Sequence, residues 1–296
     1  MSAIRDVLLM LVAKLPSVFS RLISIGDIAG FATVLLFVIL IDRSRRHHVE
    51  RYAHGSFRVD LTYAFFYLCG IYTLFVGLPV FRLLTRFFDS LFAGRTLPLG
   101  GLPMALQIAI GIVSVDLFSY AWHRSVHANR FLWAFHSVHH SQKYLTVATG
   151  FRTHFVDEIV RTTFMFIPLY FLGIRPHTFI AIDLVVNWIL GLQHSDLGWS
   201  YGALGRVIVS PRYHLMHHSL EPIDRDKNFG VLFPFWDRLF NSQAVRDVRP
   251  LQFGVDDPDY PESFVRQLAW PFIVIVRSLR AGSRVGAPTA APSGLD

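Results

Sequence analysis

Apolar runs of membrane-spanning length alternate with short polar stretches along this chain. A spanning helix needs about 20 mostly apolar residues. The run 28–41, extended to 25–42, is the first that qualifies, 61–80 is the second, and 102–122 is the third, with Asp116 near its end. Two shorter runs, 159–174 and 178–192, are separated by Gly173, Arg175 and Pro176. They predict a helical hairpin that spans as a pair or is partly re-entrant. Ahead of the first run, Arg5, Lys14 and Arg21 are spaced among apolar residues at helical intervals. No convincing small-residue cleavage site follows, so 1–25 is expected to be an interfacial amphipathic helix rather than a signal peptide.

From Gly198 onward the chain turns polar, with turn signals at Ser210-Pro211, Glu221-Pro222 and Asp257-Pro258. This region reads as a cytosolic cap. A short amphipathic run at 270–279 is expected to lie on the membrane, and the Gly, Ala, Ser and Pro-rich tail 281–296 to be disordered. The fold class that follows is all-α: an integral membrane bundle of about four to five segments. A single membrane domain is expected over 26–280.

Charge gives the topology. Arg43, Arg45, Arg46 and Arg51 follow the first run, which puts that loop in the cytoplasm by the positive-inside rule. Two more spans return the chain to the same side at Trp122, and the hairpin goes in and comes back. Composition agrees: of 296 residues, 52% are hydrophobic and 17% charged, against roughly 25% charged in soluble domains. The net charge of +7 sits at the flanks of apolar segments, as contact with lipid headgroups requires, and not in an aromatic-interleaved patch for nucleic acid.

Candidate chemistry lies in the histidines. Eight of the 14 fall into three clusters: His123 and His127; His136, His139 and His140; His214, His217 and His218. Span parity brings all three to one cytosolic face. Residues three and four apart share a helix face, so His123 and His127 can hold one ion, while the 136–140 cluster can serve two. The cluster 214–218 repeats that geometry. Eight imidazoles exceed the four ligands of a tetrahedral zinc site, and two ions with four or five nitrogens each fit the count. Cys69 is the one cysteine, so thiolate does not build this site. Imidazole suits iron, zinc, copper and nickel alike. An all-nitrogen site above a hydrophobic body suits dioxygen activation against a lipid C–H bond, which needs a redox metal.

Three more residues belong to the candidate set. His194 ends the hairpin on the same face and is expected to be a ninth ligand. His154, in Arg152-Thr153-His154, is open between ligand, ligand-orienting group and surface residue. Asp116 lies seven residues before His123, two helical turns away. Its carboxylate either orients a ligand imidazole through the ring N–H or packs against a neighbouring span. His47, His48, His54 and His177 stand apart from the clusters and read as ordinary solvated or core residues.

At these residues the chain resembles the fatty acid hydroxylase/sterol desaturase superfamily of membrane di-iron enzymes. The order HxxxH, HxxHH, HxxHH matches the three clusters. The surroundings match too: Asp116, Tyr120 and Trp122 before His123, then Arg152-Thr153-His154, Ser210-Pro211, Asp226-Lys-Asn228-Phe229-Gly230 and Trp236-Asp237. The resemblance runs over 100–242, the histidine-box core. One departure is Phe155, where many members place proline.

The resemblance implies two iron ions as cofactors, dioxygen as co-substrate, and a lipid or sterol substrate undergoing hydroxylation, desaturation or ether cleavage in lipid metabolism. It also implies a separate electron donor, of cytochrome b5 or ferredoxin type. Neutral imidazole ligands imply metal loss on acidification. The alternative is a non-catalytic membrane metal-binding or scaffold protein on the same fold, which needs closed coordination and no route for substrate. A transporter is disfavoured, because Asp116 and Asp183 are the only acidic residues well inside the apolar runs.

Overall fold

The computed structural model describes residues 48–97, 99–173, 189–246 and 252–281, together with positions 35, 36, 38, 40, 186, 248 and 250. The expected amphipathic segment 1–25, most of the first apolar run, the region 174–185 of the hairpin and the tail 282–296 lie outside the described residues.

Among the described residues the regular structure is helical, with no strands and one isolated bridge between Ser219 and Phe253. The helices are α1 (His48–Ala53), α2 (Gly55–Leu68), α3 (Leu78–Phe92), α4 (Met104–Ala128), α5 (Arg130–His140), α6 (Phe155–Phe171), α7 (Pro211–His217), α8 (Phe235–Leu239) and α9 (Phe264–Ala281). Helix α4 packs along α5 and α6, α3 covers α6, and α9 rests on α5.

The second apolar run is not one straight helix. It breaks at Cys69–Gly70, where Gly70 takes φ +69°, a conformation that suits glycine because it has no Cβ. The chain resumes through a π-helical stretch at Thr73–Gly77 and continues as α3. Helix α2 and the Thr73–Phe92 stretch meet at 55°. The third run overshoots its expected end. Helix α4 continues for 25 residues to Ala128, so the first histidine cluster rides on the same helix as the third apolar run. Among the described residues, α4 alone is long and apolar enough to cross a membrane, and the bent pair would make a second span if counted as one.

Apolar side chains left outside match that reading. Phe65, Phe75, Leu83, Phe87 and Leu91 are exposed on α2, the π-helical stretch and α3, and Met104, Leu106 and Val113 on α4. So large an apolar surface marks contact with lipid or another apolar partner. On α9, Val265, Phe272, Ile273, Val276 and Leu279 are exposed, while Phe264 stacks on Phe66 and meets Tyr63 edge-on.

Polar anchors tie the helices together beneath the histidines. Buried Arg152 donates to Asp60 on α2 at 2.5 Å, and to the Ser56 carbonyl at 2.7 Å. Buried Arg51 donates to Asp196 at 2.7 Å. Losing one partner of such a pair would strand a buried charge, at a cost of roughly 3–5 kcal/mol.

Candidate metal centre

The three clusters meet because of two tight junctions. Between α4 and α5 only Asn129 intervenes. Its extended backbone turns the chain, and its side chain caps α5 by accepting from the N–H groups of Phe131 and Leu132, as a helix N-terminus requires. This folds His136, His139 and His140 back against His123 and His127. Ser210 caps α7, with Pro211 in the first turn, and so starts the helix that carries the third cluster.

Nine histidines converge in two groups. His123, His127, His136, His140 and His217 form one; His139, His194, His214 and His218 form the other. Within each group the ligating atoms lie within 4.8 Å of one another. Helical phase explains the division. On α5, His136 and His140 (i, i+4) face the first group and His139 the second. On α7 and its cap the assignment reverses, with His217 in the first group and His214 and His218 in the second. Each of these two helices thus contributes to both groups.

The imidazoles are held from behind. His123 Nδ1 donates to the Phe229 carbonyl at 2.9 Å, His217 Nδ1 to Lys227 at 2.9 Å, His139 Nδ1 to Arg152 at 3.1 Å and His194 Nδ1 to Leu190 at 2.7 Å. His136 Nδ1 reaches the Asp157 carboxylate at 2.8 Å, and His127 Nδ1 reaches Asp226 at 3.1 Å. Carbonyls and carboxylates only accept, so each Nδ1 carries the proton and each Nε2 presents a lone pair.

Those lone pairs point inward at one another. The Nε2 atoms of His123, His127 and His136 are buried with no hydrogen-bond partner. Nε2 of His194 lies 3.1 Å from that of His139, and both tautomers are fixed by carbonyls. Two lone pairs at that distance repel unless a cation shares them. Burial and the neighbouring imidazoles hold His139, His140, His214 and His218 well below the ordinary histidine pKa, and burial lowers His194 to about 4 and His217 to about 3. Protonation is therefore disfavoured as the remedy. The donor set fits metal cations: imidazoles in groups of five and four, six of the nine oriented by a second hydrogen bond.

The segment 226–230 supplies the backing of three ligands in the first group. Asp226 and Asn228 both take left-handed φ values, 57° and 59°. This conformation is uncommon outside glycine, though Asn and Asp are enriched in it. It lets the Asp226 carboxylate and the carbonyls of Lys227 and Phe229 all reach histidines. Asn228 is pinned by donating to the Tyr213 carbonyl and accepting from Ala244 N–H. Asp237 accepts from the N–H groups of Phe229 and Gly230.

Two of the sequence candidates stand outside the histidine groups. The Asp116 carboxylate accepts from Leu232 N–H at 2.7 Å, Phe233 N–H at 3.1 Å and the Trp236 indole at 2.9 Å. It reaches no imidazole and instead holds the segment that follows Phe229. His154 caps α6 by accepting from Val156 N–H and donates its Nε2–H to the Leu268 carbonyl. Both nitrogens are thus spoken for. Sequence reasoning missed Asp157, Asp226 and the backing carbonyls. Only the Asp226–Gly230 stretch carried a signal, through the motif.

Two cavities reach the histidines from different sides. One, of about 90 Å³, touches both groups at His123, His136, His139, His194 and His214 and has apolar walls that include Met165, Val186 and Leu190. The other, of about 440 Å³, reaches His127, His140 and His217 among polar side chains including Arg225, Asp226 and Asp257.

Comparison with known proteins places the same segment. Residues 108–242, which contain all nine histidines, match the fatty acid hydroxylase family. The chain is 33% identical over 171 residues to an ornithine lipid hydroxylase of Rhizobium tropici, covering 57% of this chain and 51% of that protein. It is 31% identical over 141 residues to an alkylglycerol monooxygenase of Caenorhabditis elegans, covering 47% and 28%. It is 24% identical over 244 residues to a Delta(7)-sterol 5(6)-desaturase of Gibberella zeae, covering 77% and 71%. The match thus spans about half of the ornithine lipid hydroxylase and less of the alkylglycerol monooxygenase. No solved structure matches the chain.

Proposed function

From the match of residues 108–242 to the fatty acid hydroxylase family, we propose that this chain is a multi-pass membrane oxidoreductase that oxidises a C–H bond of a lipid or sterol with dioxygen. The observation that carries the proposal is the convergence of nine histidines in groups of five and four, five of which line an apolar cavity. Two iron ions, one held by His123, His127, His136, His140 and His217 and the other by His139, His194, His214 and His218, would supply the dioxygen-activating redox chemistry. Hydroxylation consumes the C–H bond, one O2, two electrons and two protons, and yields an alcohol and water. Desaturation removes a second hydrogen instead. The electrons come from a separate donor of cytochrome b5 or ferredoxin type.

The chain's own residues orient and shield. Asp157, Asp226 and the backing carbonyls fix the rings, so little reorganisation accompanies binding. Trp122, Phe151, Met165, Val186 and Leu190 line the smaller cavity and keep water from the reacting carbon. This cavity beside the histidines favours an enzyme over a scaffold with closed coordination. The proposed layout is a membrane domain over 26–280 with about four to five segments. Its histidine face is cytosolic, by the Arg43–Arg51 loop and span parity.

Comparative lipidomics of membranes with and without the chain tests this reading. A mass gain of 16 indicates hydroxylation, a loss of 2 desaturation, and loss of an alkyl chain ether cleavage. No change in any lipid, with iron, oxygen and a reductant supplied, overturns it.

A further inference from the structure

Beside the metal centre, away from the two cavities, the chain carries a face that is both basic and apolar. Arg124, Arg206 and Arg238 are all exposed on it. Hydrogen bonds join its parts. Arg238 Nη2 donates to the Arg206 carbonyl at 2.8 Å, and Arg124 Nη1 donates to the Phe240 carbonyl at 3.1 Å. In the same segments Leu204 is 54% exposed, Val207 55%, Leu239 63% and Phe240 43%. The stretches that make this face, 118–130, 197–210 and 235–245, hold a single acidic residue, Asp237. Asp237 is buried and accepts from the N–H groups of Phe229 and Gly230, so its carboxylate is turned inward.

We propose that this face is seated in the membrane leaflet on the histidine side, with its apolar side chains among the upper acyl chains and its three arginines on the phosphates of anionic lipids. Depth carries the first half of this statement. A hydrocarbon core about 30 Å thick takes about 20 helical residues, so counted from Met104 at the start of α4 it ends close to His123. Phe240 stacks on Tyr120, one turn before His123, with ring centroids 5.3 Å apart. Phe240 is therefore level with the edge of the hydrocarbon, and Arg124 with the headgroups above it. Chemistry carries the second half. An exposed apolar patch marks an apolar partner, and arginine lays its stem along such a surface while its head stays in the polar layer. The guanidinium fork matches phosphate, and each basic residue near an anionic surface strengthens the contact roughly fivefold. Part of the region after Gly198 then lies in the leaflet and not in the cytosolic cap that its polarity suggests. Tyr120 also stands edge-on to Phe229 at 6.3 Å, whose carbonyl holds His123, so the seated face braces the backing of the first histidine group. The inference rests on the membrane placement in the reading above and not on its chemistry.

The test places the full chain in nanodiscs of phosphatidylcholine and phosphatidylglycerol in equal parts. A fluorescent label is attached at Leu239→Cys or, as a control on α4, at Val113→Cys, each with Cys69→Ser. Lipids brominated near the top of their chains should quench the Leu239 label, and lipids brominated near the chain ends should quench the Val113 label. Native mass spectrometry of the released protein should find phosphatidylglycerol retained over phosphatidylcholine. The triple variant Arg124→Gln, Arg206→Gln, Arg238→Gln should lose that preference at least fivefold, while the three lysine replacements keep most of it. A Leu239 label quenched by aqueous iodide and by no brominated lipid, with the Val113 label still in lipid, overturns the inference and assigns the face to water or a protein partner. So does a folded glutamine variant that retains as much phosphatidylglycerol as the original. A Val113 label in water overturns the membrane placement itself. The Leu239 label decides the matter even if the triple variant does not fold.

Discussion

Asp157→Asn tests how far the second hydrogen bonds hold the metal centre. Asp157 Oδ2 accepts from His136 Nδ1 at 2.8 Å, and Oδ1 from the Trp122 indole at 3.2 Å. The carboxylate side chain is 2% exposed and His136 1%, so bulk solvent does not replace a lost contact. Asparagine offers one acceptor oxygen where two donors point. If that oxygen faces His136, its amide opposes the Trp122 N–H and leaves a buried donor unpaired, which costs about 1–3 kcal/mol. If the amide faces His136 instead, it donates to Nδ1, the proton moves to Nε2, and the lone pair no longer points at the metal. Either outcome predicts metal affinity lower by roughly 10–100-fold. The assay titrates purified protein in lipid nanodiscs with a chelator and counts retained metal per chain by mass spectrometry. The first metal to leave should do so at correspondingly lower chelator concentration than in the unaltered protein. A folded Asp157→Asn protein that holds both metals as tightly as the original refutes the role assigned to these hydrogen bonds.

Other substitutions separate the two histidine groups from the scaffold. A methyl added by Gly150→Ala would stand 3.2 Å from His194 Nδ1 and push that ring off the Leu190 carbonyl. Metal analysis should find the content falling toward one per chain as the four-histidine group empties. Gly230→Ala would place its Cβ 2.8 Å from the Phe233 carbonyl and 2.9 Å from Asp237 Oδ2. The backbone must shift, and stability should drop by about 1–3 kcal/mol, read as a lower Tm with weakened backing of His123. His154→Ala removes the cap of α6 and should cost about 0.5–2 kcal/mol while metal content stays the same. A loss of metal in His154→Ala would show that this histidine does more than cap.

The site was more legible than the frame around it. Histidine spacing follows helical periodicity, so the sharing of the 136–140 cluster between two ions could be read from offsets of three and four. The third cluster has the same offsets, yet it sends two imidazoles where the second sends one, a division that tertiary structure sets and spacing does not. Asp157 escaped notice because it lies 21 residues from the ring it holds, with no periodic relation to it; Asp226 stood inside the motif, but nothing in the sequence tied it to His127, 99 residues away. Asp116 shared a helical face with His123, but three donors from 232–236 claimed its carboxylate first. The break at Gly70 was hidden because hydropathy registers length and not backbone conformation.

The central claim is that nine histidines form two adjacent cation sites loaded with a redox metal. Purified, membrane-embedded protein should contain two iron ions per chain by elemental analysis, with Mössbauer spectra showing two iron environments of nitrogen-rich coordination. Alanine at His139 should lower the count toward one. Stoichiometric zinc without iron, or a single metal per chain that is indifferent to His139, would contradict the account.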